Sequence, residues 1–361
     1  HFEISPLPDS MSEEQFIADL EWILLNVRTA VADWKSAIEK INATKELIKT
    51  YKNLKSPDSI EEIEDFLNWL VEKNFIFLGY SEYKYFDDAG KEIFQIIPES
   101  KLGVLKVSEE KSLRGWEALP PTQRPFLTSP QIIEMTKSNH RSLVHRPVLM
   151  DYIVIKRFDK SGKAIGEIRF LGLFTSNVYY QSTESIPLIR RKVARVLEHS
   201  EFDPASHDGK SLKTILEFLP RDEIFQMSDE EMLEASVGIL ALEAKPRVRI
   251  FARKDALERF ISFMIFVPRE RFSTELRKQI QQIIGTAYDG VTSSFSTQIG
   301  EVPLARLNLI VRTKPGQVPA ALQFHVLQNF LKILPLFRIK SDVPVHLTCL
   351  LPESDCIQLT Y

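Results

Sequence analysis

The stretch "FVPRERFST", Phe266 to Thr274, holds the residue types that most readily grip an anion. A strand-like run ends at Val267, two arginines follow, and Ser273 or Thr274 then caps a helix. Unsatisfied backbone amides at a helix start, joined by Arg269 and Arg271, can take a carboxylate. Ser273 and Thr274 complete the candidate effector-binding set, and ordinary helix capping is the competing reading. A second basic run, Arg190, Arg191, Lys192 and Arg195, could bind phosphate or carboxylate, but such runs more often form a solvated or inter-domain helix face. His140 and His145 in "NHRSLVH" lie five apart without further ligands nearby, so capping is the favoured reading and no metal is expected.

Redox and nucleotide chemistry lack their usual elements. The 13 glycines include no pair that is adjacent or separated by one residue, which leaves no dinucleotide fingerprint. Gly285 and Gly290 have the spacing of a phosphate loop, but Val291 follows where lysine is required. There is no H-E-x-x-H and no G-x-S-x-G, so neither catalytic nor cofactor-binding residues are expected in this chain.

The elements that must position the anion site follow from patterning. "SEEQ" at Ser12 is a capping box that opens a long helix with apolar residues at Phe16, Leu20, Ile23, Val27, Val31, Trp34, Ile38 and Ile41, a stripe expected to be buried. "SIEE" at Ser59 opens a second helix. Two hairpins follow, one turning at "DDAGK" and one at "DKSGK", with Gly90 and Gly162 available for positive φ. Between them, 108–139 reads as irregular apart from a short helix around Ile132 to Lys137. From Pro187 to Glu243 the pattern is helical, broken at "FDPASHDGK" and "FLPRDE", with a third capping box at Ser228. Beyond Pro246 the order strand, helix, strand, strand, helix, strand predicts a ferredoxin-like βαββαβ unit, with "PAALQFHVLQNFLKI" as its second helix and "VPVHLTCLL" as its last strand. The fold class expected is α+β.

A net charge of −3 gives no bulk attraction to nucleic acid or to anionic membrane. No apolar run approaches the roughly 18 residues of a membrane helix. The two cysteines, Cys349 and Cys356, fit neither a zinc pair nor a redox motif, which makes a reducing cytosol the default compartment. The first residue is His1, which suggests a piece of a longer protein, although a tag remnant would look the same.

Three blocks carry a resemblance. "HRPVLMDYIVIKRFDKSGKAIGEIRFLGLFTSNVYYQSTESIPLIRRKV", "SHDGKSLKTILEFLPRDEIFQ" and "VRIFARKDALERFISFMIFVPRERFSTELRKQI" resemble, in this order, the N-terminal regulatory segment of the large bacterial NAD-specific glutamate dehydrogenases. The resemblance extends from about Phe16 to Gly316. It implies an inter-domain helical segment (1–56), a PAS-like antiparallel α/β domain (57–200), a helical linker (201–245) and an ACT-like domain (246–361). It also implies a parent enzyme that deaminates L-glutamate to 2-oxoglutarate with NAD, whose glycine-rich catalytic motifs match no position here. Expected partners are the catalytic domain of the same chain, further copies of the chain and an amino-acid effector. ACT-like domains place effectors near the strand-to-helix turn of "FVPRERFST". The alternative is a free-standing amino-acid sensor or adaptor of PAS-like and ACT-like domains.

Overall fold

In a computed structural model, the described residues are 11–51, 54, 56–88, 91–108, 113–115, 129–244, 248–255, 259–299, 304–313 and 346–349. They form an α+β structure with two sheets. Those up to Val178, Ser129 excepted, make one compact unit, and those from Tyr179 onward belong to a second.

The first unit opens with α1 (Glu13–Ile48), whose N-cap Ser12 accepts a hydrogen bond from the Gln15 amide at 3.2 Å. Its buried positions are Asn26, Ala30, Ala37, Ile41, Thr44 and Ile48. This corrects the expected stripe in part: Ile41 is buried and Val27 packs on the core, but Val31 is 64% exposed and Trp34 48%. The covered face lies beside the stripe of large apolar residues, because small Ala30 and Ala37 let the helix approach the sheet closely. Two polar contacts fix that approach. Asp33 accepts from the Gly103 amide at 2.8 Å and pairs with Lys106, and Lys40 bonds Glu82 at 3.0 Å.

Helix α2 (Ile60–Trp69), capped by Ser59 as the box predicts, buries Ile63, Phe66, Leu67 and Trp69. Strands β1 (Phe75–Asp88), β2 (Lys91–Gly103), β3 (Leu113–Gly115), β4 (Ile133–Arg141), β5 (Leu149–Phe158) and β6 (Ala164–Phe174) form an antiparallel sheet of order β3-β2-β1-β6-β5-β4. Both expected hairpins are present, and Gly162 turns the second with φ +83°. Gly90 lies outside the described residues. Strand β6 is central and buried on both faces. Phe170 packs on Phe77 and Tyr80, while Leu171 and Leu173 join Ala30, Leu78 and Met150 in a separate cluster.

The expected helix around Ile132 to Lys137 is instead strand β4. Its charges are cross-strand partners. Lys156 bonds Glu134 at 3.0 Å and Lys137 bonds Asp151 at 2.6 Å, all four side chains being at least nine-tenths buried. A buried charge needs such a partner, and only the extended backbone supplies these two.

The second unit begins with a helical run whose breaks fall where the sequence places them: α3 (Ile189–His199), α4 (His207–Phe218), α5 (Arg221–Gln226) and α6 (Asp229–Ala244). At the start of α6 the Ser228 hydroxyl accepts from the Glu231 amide, while the Glu231 carboxylate accepts from the Ser228 amide. That is the reciprocal box predicted.

Strands β7 (Arg249–Lys254), β8 (Phe260–Pro268), β9 (Val291–Gln298), β10 (Leu304–Arg312) and β11 (His346–Cys349) then form a sheet of order β11-β7-β8-β10-β9. Helix α7 (Thr274–Ala287) covers one face, burying Leu276, Ile280 and Ile284 against Ile250, Phe263, Ile265, Leu307 and Leu309. The last strand expected from "VPVHLTCLL" is β11, which pairs parallel with β7. The sheet has one strand more than a split βαββαβ unit, since β7 sits between β8 and β11. The second helix expected at "PAALQFHVLQNFLKI" lies outside the described residues.

Candidate effector-binding turn

Strand β8 delivers the chain to the candidate site. Apolar residues on both of its faces bury it, and Pro268 ends the ladder because it has no amide to donate. A single 3-10 turn, Arg269–Arg271, reverses the direction, and the Phe272 amide closes it on the Arg269 carbonyl at 3.2 Å. The Phe272 side chain packs on the core beneath and anchors the turn. Ser273, in extended conformation, is the N-cap of α7, and its hydroxyl accepts from the Leu276 amide at 3.1 Å.

The structure thus brings Arg269, Arg271, Ser273 and Thr274 together in one exposed turn. The serine hydroxyl is engaged in capping. By helix geometry the amides of Thr274 and Glu275 have no partner within the helix. These two amides and the flanking guanidinium groups can hold a carboxylate. Glu270 stands between the two arginines and Glu275 follows in the first helical turn, and the chemistry the amides and guanidinium groups offer is anion binding. The site is open to water, and its charges act in a high effective dielectric.

The other basic run has a structural occupation. Lys192 donates to the carbonyls of Ile224 and Met227 at the end of α5, at 3.0 and 2.6 Å, and Arg195 pairs with Asp229 at 2.5 Å. These side chains fasten α3 to the following helices. His140 lies elsewhere, on the rim of an open cavity of about 640 Å³ in the first unit, with Trp22, Leu105, Met150 and Tyr152 among its walls. The nearby polar groups of Asn26, Ser138 and Ser142 already bond to backbone carbonyls, and Arg141 lines the cavity beside His140.

One buried polar arrangement has no counterpart in the sequence reading. On the sheet face opposite α7, Arg253 of β7 pairs with Glu223 of α5 at 3.0 Å, and Ser262 of β8 donates to the other Glu223 oxygen at 2.6 Å. Arg306 of β10 donates to the Phe218 carbonyl at 2.8 Å. Burial disfavours the charge of Arg253, but Glu223, Glu231 and Asp255 more than offset that and hold the guanidinium above its ordinary range. Helix α6 also lies close on β7, where a Cβ at Gly238 would come within 2.7 Å of the Phe251 ring. The signal was a polar residue within each largely apolar strand, Arg253, Ser262 and Arg306, all facing the side that α7 leaves to other helices.

Two family models match within the second unit. Residues 186–245 match the helical motif 1 of glutamate dehydrogenase, and residues 249–334 match its ACT2 domain. Over 337 residues, 91% of this chain, the sequence is 38% identical to the NAD-specific glutamate dehydrogenase of Halomonas elongata. The chain belongs to the NAD-specific glutamate dehydrogenase family, as a segment of it. The enzyme of the same name from Pseudomonas aeruginosa is 34% identical over 85% of the chain, and that of Mycobacterium tuberculosis 25% over 86%. The chain spans about a fifth of the length of these glutamate dehydrogenases. The sheet carrying the candidate turn is therefore the ACT domain of a glutamate dehydrogenase segment, and the helices bound to it are that family's helical motif.

Proposed function

We propose that this chain is a non-catalytic regulatory and assembly segment of a large NAD-dependent glutamate dehydrogenase. The remainder of the enzyme would oxidatively deaminate L-glutamate to 2-oxoglutarate with NAD in the cytosol. The observation that carries this reading is the 38% identity across nine-tenths of a chain that is only a fifth of its relative. Its complement is the lack of any glycine-rich element that could hold a pyrophosphate. In this reading 1–56 is an inter-domain helical segment, 57–200 a PAS-like domain, 201–245 a helical linker and 246–361 the ACT-like domain. The order β2-β1-β6-β5-β4 supports the PAS-like assignment, since a PAS sheet is antiparallel with its first strand beside its last. The segment would act on the catalytic domain of its own chain and contribute to contacts between copies.

An amino-acid effector would bind at the turn after β8. Its carboxylate would sit on the amides of Thr274 and Glu275 beside Arg271, with Arg269 adding charge. Calorimetric titration of the purified chain with a panel of amino acids tests this. Binding of a zwitterionic or acidic amino acid is expected, and Arg271→Ala should weaken it by about 1.5–3 kcal/mol, the range of a charged hydrogen bond. Stability should change by less than about 0.5 kcal/mol, because the residue is exposed. If no amino acid binds at millimolar concentration, the turn is a helix cap and nothing more.

A further inference from the structure

Helix α1 carries two stripes, and its own unit covers one of them. The covered stripe runs through Ala30, Ala37, Ile41 and Ile48. The other recurs at alternating spacings of three and four: Ile17, Leu20, Leu24, Val27, Val31, Trp34, Ile38. Four of these large side chains are 46–64% exposed, namely Ile17, Leu24, Val31 and Trp34, while Leu20, Val27 and Ile38 are half-buried and Val27 also touches the core of its own unit. A repeat of 3.5 residues kept over three heptads is the pattern of a seam against another helix, whereas a helix on a globular core shows a wider stripe of period 3.6.

The flanks of the seam identify the helix. One flank is charged, with Glu21, Arg28 and Lys35 a heptad apart; the other is Ile23, Ala30 and Ala37, which has no charge and whose two alanines already lie against the chain's own unit. Parallel pairing with a copy of α1 would set the charged flank against the uncharged one, and no ion pair would form. Antiparallel two-fold pairing sets the charged flank against itself in reverse. Glu21 then meets Lys35 of the partner subunit, and the two-fold axis makes the contact twice. Leu24 and Trp34 face each other across the same seam. Arg28 meets its own copy at the axis, one like-charge contact beside two opposite ones.

We propose that the uncovered stripe of α1 pairs antiparallel with α1 of a second copy of this chain. The seam, Ile17 to Ile38, is roughly 32 Å long at about 1.5 Å per residue. This rests on the assembly part of the proposed function and names the surface that performs it.

Sedimentation equilibrium of the 41.6 kDa chain tests the pairing, with helix content followed by circular dichroism. Wild type is expected as a dimer. Leu24→Glu with Val31→Glu should give a folded monomer, since both positions are exposed in the single chain. Lys35→Glu should weaken the dimer about fivefold or more, as two weak ion pairs become like-charge contacts. Adding Glu21→Lys to Lys35→Glu should restore it. A monomeric wild type, a dimer indifferent to Leu24→Glu with Val31→Glu, or a charge swap that does not restore affinity overturns the proposal. Amino-acid titration is a separate measurement, so either result can fail without the other.

Discussion

At the scale of single residues, a buried carboxylate ties strands to helices in the second unit. Glu223 serves Arg253 and Ser262 at once, and its side chain and that of Arg253 are each less than a tenth exposed. Removing one partner of such a pair leaves an uncompensated buried charge. Arg253→Met should therefore cost about 3–5 kcal/mol in denaturant unfolding. Replacing both, Arg253→Met with Glu223→Leu, should cost less than the single change, a coupling that a double-mutant cycle reads directly. In the first unit Glu82 is held below the usual carboxylate range. Burial opposes this, but the Tyr80 hydroxyl, Lys40 and Arg157 outweigh burial. A carboxyl depressed in the fold contributes stability above its unfolded pKa and loses it as pH falls through the folded value. Glu82→Gln should lower the melting temperature at neutral pH and flatten its fall on the acid side.

At the scale of elements, α1 shows how far patterning reaches. Ser12, Ser59, Ser228 and Ser273 mark helix starts because the cap is a local hydrogen bond that three or four neighbouring residues determine. Which face of α1 is covered is a tertiary choice. The sheet accepts the side with Ala30 and Ala37, where close approach is possible, and leaves Val31 and Trp34 outside. At concentrations where the chain is monomeric, Trp34→Ala should change stability by less than about 0.5 kcal/mol, and Ile41→Ala by about 2–5 kcal/mol. Chemical denaturation of the two variants at high dilution separates the faces. Strand β4 was illegible for a related reason. "IEMTKSNHR" has no clean period of two, since Glu134 and Lys137 occupy buried positions that only Lys156 and Asp151, on another strand, make tenable. The candidate turn, by contrast, was legible down to its residues, because strand end, proline, arginines and cap are contiguous in sequence.

At the scale of the whole molecule, each sheet carries a different load. The antiparallel sheet of the first unit has neighbours on both sides of β6 and buries both of its faces. The ACT sheet gives one face to α7 and the other to the helical motif, so motif and sheet share one set of buried partners. Among the described residues no helix is long and apolar enough to cross a membrane. With no glycine-rich pyrophosphate cradle in its sequence, the purified chain should give no glutamate-dependent reduction of NAD. Absorbance at the reduced-cofactor band, followed in a highly purified sample, checks this, and turnover there would require another reading of the segment.

The parallel strand β11 sets a rule for anyone trimming this protein. It occupies the outer side of β7 over four paired positions, His346–Arg249 to Cys349–Ala252, and the match to the ACT2 model ends earlier, at residue 334. A fragment cut where that match ends would leave the donors and acceptors along β7 facing solvent beside apolar Ile250 and Phe251. An open edge of that kind recruits strands from other molecules. Such a fragment should precipitate or form sheet-linked oligomers, while one that keeps the chain through Cys349 should remain dispersed.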